Sequence, residues 1–134
     1  FRVTYTIDFP HPELKGKTYH GLLNSEIMEQ EILEARTFGF LKDVEELRKR
    51  GLGMGASLEN AVVLTDTGYL NDDLRYPDEC LRHKVLDLIG DLYLLGRPLM
   101  AHIIAFRAGH ALDVALGRNI IANLSGDELA GRRN

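Results

Sequence analysis

The sequence predicts an α+β fold, a two-layer α/β sandwich in which helices pack on a mixed β-sheet. Three observations carry this. The chain opens on strict alternation, with Val3, Tyr5, Ile7 and Phe9 apolar between polar neighbours, the two-residue period of a half-buried strand. The stretch "PDECLRHKVLDLIGDLYLLG" places its apolar residues at helical spacing over several turns. Short β-branched runs alternate with further helical segments, so the order reads strand, strand, helix, helix, strand, helix, strand, helix.

The first strand ends at "PHPELKG", whose prolines and glycine interrupt any ladder. A short second strand is expected from Tyr19 to Leu23. Ser25 is the expected N-cap of a helix running to about Ala35, with acidic residues in its first turn. "ARTFGF" then breaks the periodicity. Leu41, Val44 and Leu47 recur at helical spacing up to Gly51, which follows the cations of "RKR" as a helix C-terminus favours. "GLGMGAS" reads as a loop and "AVVLT" as a buried strand. "DTGYLND" is turn material, and the long helix has Pro77 near its start and Gly96 near its end. "PLMAHIIAF" reads as a buried strand, "RAGH" as a turn and "ALDVALGRNIIANL" as the closing helix. With no internal repeat or linker, residues 1–134 form a single domain.

Apolar residues at 45% and charged residues at 27% are ordinary globular values. No apolar run approaches the roughly 20 residues that span a bilayer. A net charge of −4 without a dense basic stripe argues against nucleic acid as a partner. The single Cys80 permits no internal disulfide and no basic, apolar leader opens the chain, so a reducing cytoplasm is the expected location. The chain starts at Phe1 directly inside a strand pattern, which is expected of a piece of something longer.

At about 100° per residue, Leu81, Val85, Leu88, Ile89, Leu92 and Leu95 share one arc of the long helix, while His83, Lys84, Asp87 and Asp91 share the other. His83 and Asp87, four apart, can aim an imidazole nitrogen and a carboxylate oxygen at one point, the logic by which helical ligands hold zinc. The competing account is a solvated face with an ion pair of at most about 0.5 kcal/mol. Against it stands the apolar content of the helix, which implies cover on most sides. Burying these groups without strong partners would cost several kcal/mol.

Four motifs in order, "ARTFGF", "GLGMGASLENAVV", "LRYPDECLRHKVLDLIGDLYLLG" and "AFRAGHAL", resemble the C-terminal half of the zinc-dependent UDP-3-O-acyl-N-acetylglucosamine deacetylases of lipid A biosynthesis, the LpxC family. The resemblance runs from about Phe1 to Asn119. It implies a Zn2+ cofactor with His83 and Asp87 as two of three protein ligands. The third ligand, a His, and the general base, a Glu, belong to an N-terminal half that this chain lacks. None of His11, His20, His102 and His110 sits in the corresponding context. Zinc binding by this chain alone is therefore expected to be weak, and the chain alone inactive.

The chemistry implied is attack on an acetamide carbonyl by a water that the metal acidifies, with donors placed for the charge that develops on oxygen. The resemblance gives Thr37 that donor role, where helix capping is the ordinary alternative. It gives His110 protonation of the leaving amine, with Asp91 orienting it; a plain turn residue is the alternative. Lys84 and Phe38 match substrate contacts, against a solvated charge and core filling. Residues 40–60 correspond to a small inserted helical unit forming an apolar passage for the acyl chain, with Leu41, Val44, Leu47, Leu52, Met54 and Ser57 as its candidates, although any core-facing helix shows such a stripe. Arg107 stands where a Lys is common, suited to a diphosphate. Ala56 replaces an expected Gly and Asp113 a frequent Asn. The substrate implied is an acylated UDP-glucosamine, and the missing N-terminal domain is the implied partner. The other reading is a noncatalytic sugar-nucleotide and acyl-binding module with an incomplete metal site.

Overall fold

A computed structural model describes residues 1–130. Strand β1 (Arg2–Ile7) is the centre of a three-stranded sheet of order β2-β1-β5. β2 (Lys17–Leu22) runs antiparallel to it and β5 (His102–Phe106) parallel, so the sheet is mixed. The alternation of the first strand becomes two faces: Val3, Tyr5 and Ile7 are buried, and Thr4 and Thr6 are only partly covered.

Helix α3 (Glu79–Tyr93) lies on the buried face. Its Cys80, Leu81, Val85, Leu88 and Leu92 join Val3, Tyr5, Ile7 and Tyr19 in one core, each fully buried aliphatic side chain contributing about 1.5–3 kcal/mol. Asp78 is the helix N-cap, Pro77 precedes it, and Gly96 closes the far end with a φ of 67° that glycine adopts without strain. Helix α4 (His110–Ala130) packs against α3.

The structure departs from the sequence-based expectation in four places. "ARTFGF" contains a strand, β3 (Thr37–Phe40), which pairs in parallel with β4 (Ala61–Leu64) in a second, two-stranded sheet. The helix expected in the inserted unit, α2 (Leu41–Lys49), thus lies between two parallel strands as a crossover. The two-residue spacing of Phe38 and Phe40 was the only signal of β3, and Gly39 between them hid it. The N-cap before the next helix is Asn24, not Ser25: its extended backbone lets Oδ1 accept from the Ile27 N–H at 2.9 Å. That helix is a single α-turn, α1 (Ser25–Ile27), widening into a π-helical turn (Met28–Ile32) that drives Ile32 into the core, so it ends before Ala35. Finally, β5 is buried on one face only, with Ile104 73% and Phe106 63% exposed on the other.

No helix among the described residues is long and apolar enough to cross a membrane.

Candidate active site

The charged arc of α3 is not a solvated face. His83, Lys84, Asp87 and Asp91 are all mostly covered, because α3 is enclosed by the sheet, β3 and α4. His83 Nδ1 donates to the backbone carbonyl of Ala35 at 3.0 Å, which keeps a proton on that nitrogen and leaves Nε2 as the ring nitrogen that faces Asp87. That nitrogen lies 3.2 Å from Asp87 Oδ1. The other carboxylate oxygen, Oδ2, accepts from Lys84 Nζ at 2.7 Å. Burial pushes the Asp87 pKa up, but the hydrogen bonds from His83 and Lys84 outweigh it and hold the carboxyl at about 2. For His83 burial pulls downward, and the bonds to Asp87 and Ala35 still leave the ring more basic than usual.

This donor set fits a divalent cation of borderline softness. Two atoms each about 2.0–2.2 Å from one ion stand no more than about 4.4 Å apart, and the observed separation lies within that limit. Among the described residues no third His, Cys, Asp or Glu joins the pair in a metal-holding group.

His110 is the first residue of α4 and reaches back to α3: Nδ1 donates to Asp91 Oδ2 at 2.7 Å, and Nε2 lies 4.0 Å from Asp87 Oδ2. A carboxylate only accepts, so the Asp91 contact keeps the Nδ1 proton in place and turns Nε2 towards Asp87. Thr37 is exposed at the start of β3, two residues beyond the carbonyl that anchors His83. Phe38, half-buried, packs edge-on against Phe9. The other histidines are engaged elsewhere: His11 is buried between the Thr65 carbonyl and the Glu13 N–H, and His20 and His102 share the Thr4 hydroxyl.

The crossover unit encloses a cavity of about 270 Å³ lined by Leu41, Val44, Arg48, Gly53, Ala56, Ser57, Leu58, Val63 and Leu70. Leu41, Val44 and Ser57 were legible as candidates. Leu52 and Met54 stand outside this wall, Met54 being 73% exposed, and Leu47 is outside it too. Arg107 lines a separate groove of about 490 Å³ with Lys15, Asp8 and His11. Its backbone φ is 50°, in the left-handed region, while its N–H donates to the Thr6 carbonyl at 2.9 Å.

That two buried groups lack partners shows only in the fold. The hydroxyl of Tyr5 and Oδ2 of Asp113 are buried without a hydrogen-bond partner, and Asp113 is 2% exposed. Burial pushes the Asp113 pKa up, and Asp91 and Asp87 add to it against the pull of Lys84 and His110. This is the physical effect of an acid at a position where the family resemblance implied an Asn. An acid with a raised folded-state pKa binds its proton more readily when folded, so its ionisation opposes folding. The penalty is absent below the ordinary carboxylate range and complete above the raised pKa. Asp113→Asn is therefore expected to stabilise the fold at pH 7, and the gain should vanish by about pH 3. Urea unfolding at both pH values checks this; an equal gain at both would mean that charge is not its origin.

The chain thus holds an imidazole–carboxylate cluster on a largely covered helix, an apolar cavity in the crossover unit and a separate groove with two cations, in an α+β fold. The sequence profile described as "LpxC: UDP-3-O-acyl N-acetylglycosamine deacetylase" matches residues 1–122. The chain belongs to that family. It is 60% identical over 128 residues to the UDP-3-O-acyl-N-acetylglucosamine deacetylase of Leptospira biflexa, covering 96% of this chain and 42% of the relative. It is 46% identical to the enzyme of that name from Myxococcus xanthus over 99% of this chain and 43% of the relative. For Pseudomonas entomophila the identity is 48%, over 91% and 41%. The chain spans about two fifths of the length of these curated relatives.

Proposed function

We propose that this chain is the C-terminal catalytic half of a zinc-dependent deacetylase that hydrolyses the acetamide of UDP-3-O-acyl-N-acetylglucosamine in lipid A biosynthesis, and that it is inactive alone. The observation that carries this reading is the 3.2 Å approach of His83 Nε2 to Asp87 Oδ1 with each group held from behind. His83 and Asp87 would hold the zinc, with a third ligand from the N-terminal half. When bound, zinc supplies Lewis acidity that makes a water nucleophilic near neutral pH and polarises the carbonyl.

The chain's own groups do the rest. Lys84 fixes Asp87 Oδ2 and leaves Oδ1 facing His83 Nε2. The Thr37 hydroxyl donates to the oxygen on which negative charge accumulates. His110, its Nδ1 proton held by Asp91, delivers a proton from Nε2 to the departing amine. Phe38 packs against the sugar, and Arg107, joined by Lys15, holds the diphosphate. The cavity of the crossover unit takes the acyl chain. The reaction is placed in the cytoplasm, in keeping with Cys80, which is a buried free thiol.

The test is acetate release from the acylated UDP-sugar by the full-length chain, before and after chelation and after zinc is restored. Activity should be lost and regained; release indifferent to the chelator overturns the metal reading. Because Ala56 lines the cavity, Ala56→Phe is expected to lower kcat/KM at least tenfold for long acyl chains and to spare short ones. Equal losses across a series of chain lengths would remove the acyl chain from that cavity.

A further inference from the structure

The peptide group between Ala35 and Arg36 is gripped at both ends by one turn of α3. Its carbonyl accepts from His83 Nδ1 at 3.0 Å, and its N–H donates to Glu79 Oε1 at 2.9 Å. Glu79 and His83 are four residues apart, which sets them one above the other on a helix. Glu79 is 0% exposed. Its Oε1 also accepts from Arg36 Nε at 2.8 Å, and its Oε2 from Arg36 Nη2 at 3.0 Å and from the Arg75 N–H at 2.8 Å. The carboxylate is therefore pinned, and its charge lies against the N–H end of the peptide that holds the imidazole.

We infer that Glu79 is a positioning residue for His83, acting through this single peptide group. A fixed negative charge at the N–H end pushes electron density towards the carbonyl oxygen and strengthens it as an acceptor. A stronger acceptor holds a proton on His83 Nδ1 and turns Nε2 towards Asp87. The same contact sets where the peptide lies, so one side chain controls both the anchoring hydrogen bond and the direction of the ring. The Arg36 side chain extends the arrangement, since its Nη1 donates to the Leu58 carbonyl at 2.8 Å on the cavity wall. Outer partners of a metal-binding imidazole typically change affinity about 10- to 100-fold when removed.

This inference rests on the zinc reading of His83 and Asp87, and its test separates the two. In the metal-free full-length chain, the His83 Nδ1–H proton should be held by the Ala35 carbonyl and exchange slowly with solvent. Glu79→Gln should speed that exchange at least tenfold and weaken zinc affinity about tenfold. Val62→Ala, a core truncation in β4, should lose stability yet keep both the wild-type exchange of that proton and the wild-type affinity. Unchanged exchange with unchanged affinity in Glu79→Gln overturns the inference, as does an equal disturbance of His83 in Val62→Ala. Should Glu79→Gln fail to fold, the wild type decides: zinc addition should move the Arg36 backbone amide resonance together with the His83 ring, and a stationary amide overturns the inference. A wild-type chain that binds no zinc would remove the metal reading, while the exchange of the Nδ1–H proton still decides the clamp.

Discussion

Asp87→Ala in the full-length chain is expected to weaken zinc binding more than 100-fold, beyond the roughly 10- to 100-fold that follows loss of an outer partner. His110→Ala is expected to leave zinc binding within about threefold and to lower kcat by about 10²–10⁴, the usual contribution of a positioned acid or base. The division follows from the geometry. Asp87 Oδ1 faces His83 Nε2 at 3.2 Å, whereas His110 is tied to Asp91 and stays 4.0 Å from Asp87. Removing Asp87 also frees Lys84 Nζ, leaving a largely covered ammonium beside His83. Zinc content and turnover measured on the same preparations decide it, and equal metal loss in both variants would overturn the assignment.

Glu79→Ala is expected to destabilise the chain by about 3–5 kcal/mol, the cost of removing one partner of a buried ion pair. It leaves the guanidinium of Arg36 without its carboxylate and two backbone N–H groups, those of Arg36 and Arg75, without acceptors. Against a total stability of about 5–15 kcal/mol, that is a large fraction. Lys17→Ala removes a half-exposed i,i+4 pair with Glu13 and should change stability by no more than about 0.5 kcal/mol. Chemical denaturation of the three proteins measures the contrast; a Glu79→Ala change below about 1 kcal/mol would mean that water replaces the lost contacts.

The helical periodicity of α3 and its arc of ionisable groups were legible because both are local, written in spacings of three and four residues. The His110–Asp91 contact joins two elements 19 residues apart, and family resemblance rather than spacing pointed to it. Glu79 was invisible for a physical reason: an acid in the first turn of a helix is what the helix dipole favours anyway, and its partner Arg36 lies 43 residues away. Strand β3 was too short to show its period. The apolar run of β5 could not reveal that only one side is covered, since burial depends on what packs against a strand. Asp113 reads as an ordinary helix acid until the fold encloses it.

The bend joining β5 to α4 carries a further consequence. Arg107 adopts there a left-handed backbone, φ 50°, which strains a residue with a Cβ by about 1–2 kcal/mol and glycine hardly at all. Variants ranked by melting temperature would place Arg107→Gly near the top. Ranked by grip on an anionic ligand, the same substitution would fall near the bottom, so the two orderings cross at one corner of the chain.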